Sequence, residues 1–222
     1  MKKNLFITWI IIAILTSTSL SVAANGDWFE NLGEKLNDNE TLSPPSYEKL
    51  ELSNHNQLVY SFTNKNGMNK SEANQMALEI QLEKAAIFNE AKSRGLSVSK
   101  SEAQQAAMTE RELLLNGKSA NSEEMKAKVN SFIEGLGISE AEYWEDYVVE
   151  AKKNVLLEQK LLEHEFNRIE LSKDNFKKIQ KFLDEITVSY INEQKQSIGN
   201  FVKDIDQIKD VQESINKITE KK

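Results

Sequence analysis

Two histidines, His55 and His164, are the only side chains in the chain that ordinarily titrate near neutrality. Neither stands in a catalytic or metal-binding pattern. His164 lies in Glu163-His164-Glu165-Phe166, and the place where a second zinc-binding histidine would fall is Arg168. His55 lies in the polar run Ser53-Asn54-His55-Asn56-Gln57. Both read as plain surface histidines. Cysteine is absent, which removes disulfides, thiolate metal sites, cysteine nucleophiles and a lipid anchor on cysteine. There is no Gly-x-Ser-x-Gly, no Gly-x-Gly-x-x-Gly and no phosphate loop. Asn64-Lys65-Asn66-Gly67 lacks the carboxylates of a calcium loop and reads as a turn. Glu140, Glu142, Glu145 and Asp146 read as a solvated face with favourable charge at a helix start. The expected sets of catalytic, cofactor-binding and metal-ligating residues are therefore empty, and no cofactor is expected.

The elements that position these residues are helical. The chain has 222 residues, of which only 8 are Gly and 2 are Pro. A many-stranded β fold needs far more turn residues, so the expectation is an all-α protein with long helices. Hydrophobic residues make up 39% and charged residues 28%, with a net charge of −7. That composition folds, and its acidic balance argues against nucleic acid as a main partner.

Met1-Lys2-Lys3, the apolar run Leu5 to Leu15 and the small residues up to Ala24 form the pattern of a secretory signal peptide over 1–24. The expected location is secreted or extracytoplasmic, in the cell-envelope space after cleavage near Ala24. An uncleaved N-terminal anchor is the alternative. Residues 25–57 are weakly patterned, with a short amphipathic helix through Trp28, Phe29, Leu32 and Leu36 and a linker at Pro44-Pro45. Leu58 to Thr63 is β-prone and precedes Asn66-Gly67, which leaves room for one short strand pair near residues 58–68.

Asn69/Glu72, Ser99/Glu102 and Ser139/Glu142 each have the spacing of a capping box, and Gly95, Gly117, Gly135 and Gly137 stand where helical runs stop. Helices are expected at about 70–94, 100–116, 122–135 and 140–170. The first carries apolar residues on two opposite sides, so it is central in a bundle or keeps one side for a partner. The last carries Trp144, Val148, Ala151, Val155, Leu162, Phe166 and Ile169 along a heptad-like seam. The tail predicts two more helices, at about 173–191 and 197–219, with a kink or hairpin in Asn192 to Gly199. Its first helix is expected to dock antiparallel on the 140–170 helix, over Leu162, Phe166 and Ile169; one continuous helix is the alternative.

Met68-Asn69-Lys70-Ser71-Glu72 leads into a helix that ends in Ala91-Lys92-Ser93-Arg94-Gly95-Leu96. Ser97-Val98-Ser99-Lys100-Ser101-Glu102-Ala103 opens the next, and Gly135-Leu136-Gly137-Ile138-Ser139-Glu140-Ala141-Glu142-Tyr143-Trp144 opens a later one, followed by Val155 to Leu162. In order and spacing these motifs resemble the N-terminal chaperone domain of the SurA and PrsA foldases, over residues 58–171. The resemblance implies a helical chaperone domain there, followed by a helical or coiled-coil tail over 172–222. It further implies an extracytoplasmic, ATP-independent chaperone for unfolded or partly folded secreted polypeptides. The parvulin prolyl-isomerase domain usual in that family has no room in 172–222, so isomerase activity is not carried over, and the chain is not expected to be an enzyme. Exposed apolar and Met/aromatic patches would hold clients, with Met76, Leu78, Leu82, Met108, Tyr143, Trp144 and Tyr147 as candidates. The alternative is a structural or assembly protein that recognises one dedicated partner or self-associates through its helical tail. A proline-peptide isomerisation assay is expected to show no acceleration by this chain; catalysis abolished by a single point substitution would overturn that expectation.

Overall fold

The computed structural model describes residues 26–37, 44, 47–116, 122–166, 173–205 and 216. The signal-peptide segment, Ile169, the turn near Ser172 and the chain expected to be helical beyond Ile205, apart from residue 216, lie outside the described residues. Among those described the fold is all-α, without strands, and no helix is long and apolar enough to cross a membrane. The helices are α1 (Gly26–Asn37), α2 (Leu52–Asn66), α3 (Lys70–Ser93), α4 (Lys100–Asn116) and α5 (Ser122–Leu136). A short helical turn α6 (Glu140–Glu142) runs through a π-helical turn, Tyr143–Tyr147, into α7 (Val148–Phe166); α8 (Lys173–Glu193) and α9 (Lys195–Lys203) follow.

Local chemistry sets most of these boundaries. Asn69 Oδ1 accepts from the Glu72 backbone N–H at 2.9 Å and starts α3. Ser99 and Glu102 close a reciprocal box at the start of α4, and Ser139 and Glu142 do the same for α6. Hydrogen bonds from Ser139 hold the Glu142 carboxyl below its usual range. Gly67, Gly95 and Gly137 each adopt positive φ just after a helix.

The strand pair near residues 58–68 does not form. Leu58 and Phe62, four residues apart, point into the interior from α2, and the Gly67 N–H closes that helix on Phe62 O. Asn66-Gly67 is thus a helix stop, not a hairpin turn. Gly135 also differs from its expected role as a stop, because it lies inside α5.

The described chain divides into two compact units. One holds α1, α4, α5, α6, the π-turn and α7 as far as Val155; the other holds α2, α3, α7 from Leu156, α8 and α9. In the first unit, α1 packs along α5 with two glycines at the contact. A Cβ on Gly135 would come within 2.0 Å of Glu30 O, and one on Gly33 within 2.5 Å of Phe132 O. The two backbones are in direct contact there, which only glycine permits.

In the second unit α3 is central, as its two apolar sides require. It packs against α2 and α8, and Leu78 and Leu82 join Ile191, Ile198 and Val202 in one core cluster. The tail therefore docks chiefly on α3, not on the helix that begins at residue 140. Phe166 does meet Phe182 edge to face at 5.8 Å, so the end of α7 touches α8 at that point. The chain breaks at Gln194 alone, between α8 and α9.

Gly135→Ala is expected to lower stability by about 1–3 kcal/mol through overpacking. Gly199→Ala, where an added Cβ meets nothing within 4 Å inside α9, is expected to raise it by about 0.5–1 kcal/mol. Urea midpoints of the two variants should move in opposite directions.

Candidate functional site

Helix α4, the π-turn and the start of α7 assemble an aromatic and charged cluster in the first unit. The π-turn is closed by the Val148 N–H on Tyr143 O, a bond spanning five residues. It turns Tyr143, Trp144 and Tyr147 all inward. Tyr143 and Tyr147 stack with centroids 5.7 Å apart, Trp144 meets Tyr143 edge-on at 5.1 Å, and Phe132 of α5 abuts both tyrosines. Such offset and edge-to-face pairs add to the burial of the rings themselves.

Burial pushes both tyrosine hydroxyls well above their ordinary range, so both stay protonated at neutral pH. The Tyr143 hydroxyl is fully enclosed and has no hydrogen-bond partner. Nearby, Glu110 of α4 pairs with Lys152 of α7, both largely shielded from water. Burial raises the Glu110 carboxyl while Lys152 pulls it back down. At the surface Arg111 pairs with Glu140 at 2.8 Å.

The second unit encloses a different polar group. His55 of α2 is 1% exposed. Its Nε2 lies 3.0 Å from Asn74 Oδ1, and Gln81 Nε2 lies 3.1 Å from its Nδ1. A carbonyl oxygen only accepts, so Nε2 carries the proton and Nδ1 receives one from Gln81. Gln81 Oε1 in turn accepts from the Glu51 backbone N–H at 3.3 Å. Phe201 of α9 meets the imidazole edge to face at 5.9 Å. Burial lowers the pKa of His55 and the Asn74 hydrogen bond opposes that in part. The reading of His55 as a surface residue is thus corrected. Asn54, His55, Leu58, Ser61 and Phe62 share the inward face of α2 at spacings of three and four, and that periodicity was the available signal.

His164, by contrast, is exposed, with Nδ1 3.3 Å from Arg94 Nη1. Arg94 ties the end of α3 to other helices. It pairs with Glu90 at 2.7 Å and Glu165 at 2.6 Å, and its guanidinium lies 5.4 Å from the Phe182 ring centre. Among the described residues no group of three His, Asp or Glu could hold a metal ion.

The seven client-binding candidates separate clearly. Leu78, Leu82, Tyr143, Trp144 and Tyr147 are interior, which corrects the expectation that they form exposed patches; helical apolar stripes here are core. Met76 is half-buried. Met108 is 65% exposed on α4, and Leu113 of the same helix, which sequence reading did not single out, is 69% exposed. With Leu52 and Phe176 they make up the exposed large hydrophobic residues among those described. Met76, Leu78 and Leu82 lie in the second unit and Met108, Tyr143, Trp144 and Tyr147 in the first, so the seven candidates are divided between two units.

The chain is 32% identical over 155 residues to the "Glutamate-rich protein GrpA" of Alkalihalophilus pseudofirmus, a match taking in 68% of this chain and 96% of that protein. No family model matches the chain, and no solved structure matches it.

Lys152→Met is expected to cost about 3 kcal/mol at pH 7.5, since it leaves the Glu110 carboxylate shielded and unpaired. The loss should shrink toward pH 5, where that carboxylate can take up a proton. The double substitution Lys152→Met/Glu110→Gln should recover most of the stability. Thermal melts of the three proteins at both pH values check this.

Proposed function

The chain belongs to the family of the glutamate-rich protein GrpA, and for this member we propose a non-catalytic binding role: an extracytoplasmic, ATP-independent, chaperone-like protein that holds non-native polypeptides. The observation that carries this reading is the pair of strongly exposed apolar side chains on α4, Met108 at 65% and Leu113 at 69%. Flexible Met and Leu side chains adapt to varied apolar surfaces, and these two are open to solvent on one helix. The acidic net charge of −7 supports solubility while a sticky client is held. The order of helix-start and helix-stop motifs, similar to that of the SurA-type chaperone domain, supports the same role, as does the signal-like segment before α1.

A second reading, assembly with one dedicated partner, is favoured by a specific observation. Five of the seven candidate residues are interior, so a broad client surface is small in this conformation.

The two readings separate by client breadth. A holdase suppresses aggregation of two unrelated chemically unfolded proteins, and Met108→Asp with Leu113→Asp weakens that suppression without lowering the melting temperature. Absence of suppression, together with recovery of one protein in a pull-down from the native compartment, supports the dedicated partner and overturns the holdase.

A further inference from the structure

We propose that His55, Asn74 and Gln81 form an acid-sensitive latch that holds α9 over an apolar binding face of α3, and that opening the latch presents Leu78 and Leu82 to an extended apolar segment of a non-native polypeptide. The binding half of this proposal rests on the holdase reading given above; the latch itself does not.

The latch is a closed donor–acceptor circuit. Asn74 Oδ1 takes the Nε2 proton of His55, His55 Nδ1 takes a proton from Gln81, and Gln81 Oε1 takes the Glu51 backbone N–H. A second proton on the imidazole would sit on Nδ1 and face the Gln81 amide nitrogen, donor against donor. Rotating the Gln81 amide cures that contact, but it then turns the amide nitrogen toward the Glu51 N–H. Either arrangement leaves two donors facing each other in a buried place, where an unsatisfied group is costly. The neutral imidazole satisfies every member, and the cation cannot.

Among the described residues no carboxylate is hydrogen-bonded to His55. From α3 the groups facing His55 are the amides of Asn74 and Gln81, and from α9 the Phe201 ring. Glu51, at the entry to its own helix, pairs its carboxylate with Lys49 at 3.4 Å. Lys195, Lys203 and Asp204, at the ends of α9, are exposed. Among the described residues, burial lowers the proton affinity of His55, the Asn74 hydrogen bond opposes that in part, and no carboxylate contributes.

The element set to move is α9. It has nine residues, its preceding residue Gln194 supplies no side-chain cap, and it holds to the unit through Ile198 and Val202 in the cluster with Leu78 and Leu82. Its Phe201 is also the ring against His55. A helix this short has little stability apart from its packing. In the closed state α9 thus occupies the face that a client's apolar segment would take, as a covering segment of the chain itself.

The sign of the pH dependence follows. The folded state lowers the pKa of His55, so its contribution to stability is complete above the ordinary imidazole value and is lost as pH falls below about 6.5. The test is hydrogen–deuterium exchange of the full-length chain at pH 7.5 and 5.0, corrected for intrinsic exchange rates. Protection in Lys195–Lys203 is expected to fall by about tenfold or more, a tenfold change being one proton bound over one pH unit. Protection in Ser122–Leu136 should hold. His55→Gln, which keeps a neutral hydrogen-bonding side chain, should abolish the selective loss. Equal loss in both segments, or selective loss that persists in His55→Gln, overturns the latch. If His55→Gln fails to fold, the titration of the His55 ring protons by NMR replaces it: a ring that titrates at the ordinary value without change in α9 protection also overturns the proposal. Aggregation suppression measured at the same two pH values separates the two halves. Selective release of α9 with greater suppression at pH 5.0 supports both. Release without suppression at either pH leaves the latch standing and refutes the holdase reading. Suppression equal at both pH values despite release refutes the assignment of Leu78 and Leu82 as the client face.

Discussion

Helix α3 is apolar on two sides, and the second unit is organised by the need to cover both. Ala73, Ala77, Ala85 and Ala91 are small and let neighbouring helices approach closely, while Leu78 and Leu82 fill a cluster with residues of α8 and α9. A helix in water can leave one face exposed, but a second apolar face must find a partner. The chain has no cysteine with which to staple its helices, so docking of α2 and α8 on α3 provides the cohesion. Arg94 then fixes the far end of α3 through two carboxylates and the face of Phe182. The first unit solves the same problem differently. There, Gly33 and Gly135 bring the α1 and α5 backbones into contact, and a π-turn gathers three aromatic residues into one interior.

Each unit places polar groups inside that packing. Glu110 with Lys152 and His55 with two amides are costly to enclose and do not by themselves make a helix bundle more stable than apolar residues would. They do restrict how neighbouring helices can sit, since only one rotation about each helix axis brings donors and acceptors together. The two groups differ in their response to protons. In the pair, loss of one charge leaves the other exposed to a low dielectric. In the His55 circuit, gain of one charge breaks one bond whichever way the Gln81 amide turns, at Nδ1 or at the Glu51 N–H.

The helices legible in the sequence were those whose ends are fixed by residues three apart. Asn69/Glu72, Ser99/Glu102 and Ser139/Glu142 start helices by contacts internal to each pair, which no tertiary context needs to supply. Leu58 to Thr63 leaves room for a strand because its aromatic and β-branched residues suit a pleated surface, whereas Leu58 and Phe62 are held in a helix by the core they enter. Asn66-Gly67 fits a hairpin turn or a helix stop equally well from two residues alone. His55 was missed because polar neighbours suggested a wet surface, although those neighbours share its inward face. The docking partner of the tail was illegible for another reason: the apolar stripe of α8 says that it must be covered, not which of two apolar helices covers it. The same limit applies to the candidate site. Stripes at Leu78/Leu82 and Tyr143/Tyr147 are real, but periodicity does not distinguish a face turned to a client from one turned to the chain's own core.

The scale of the forces restricts what acid could open in the second unit. Removing all five residues of its core cluster from one another would forgo about 1.5–3 kcal/mol for each large side chain, a total comparable to the stability of a whole domain. One proton supplies only about 1.4 kcal/mol per unit of pKa difference. A single histidine therefore cannot dismantle the cluster. It can shift the balance of a segment that gives the cluster two buried side chains, Ile198 and Val202, with Phe201 packed partly against it, because a released nine-residue helix also regains backbone freedom of about 1–2 kcal/mol per residue. The long helix α8, which keeps Ile191 on α3 and continues through Leu183 and Ile179, has too much buried surface to follow. The energetics thus place any acid-driven opening at the break after Glu193, with α9 as the moving part and α8 as the fixed wall of the face it uncovers.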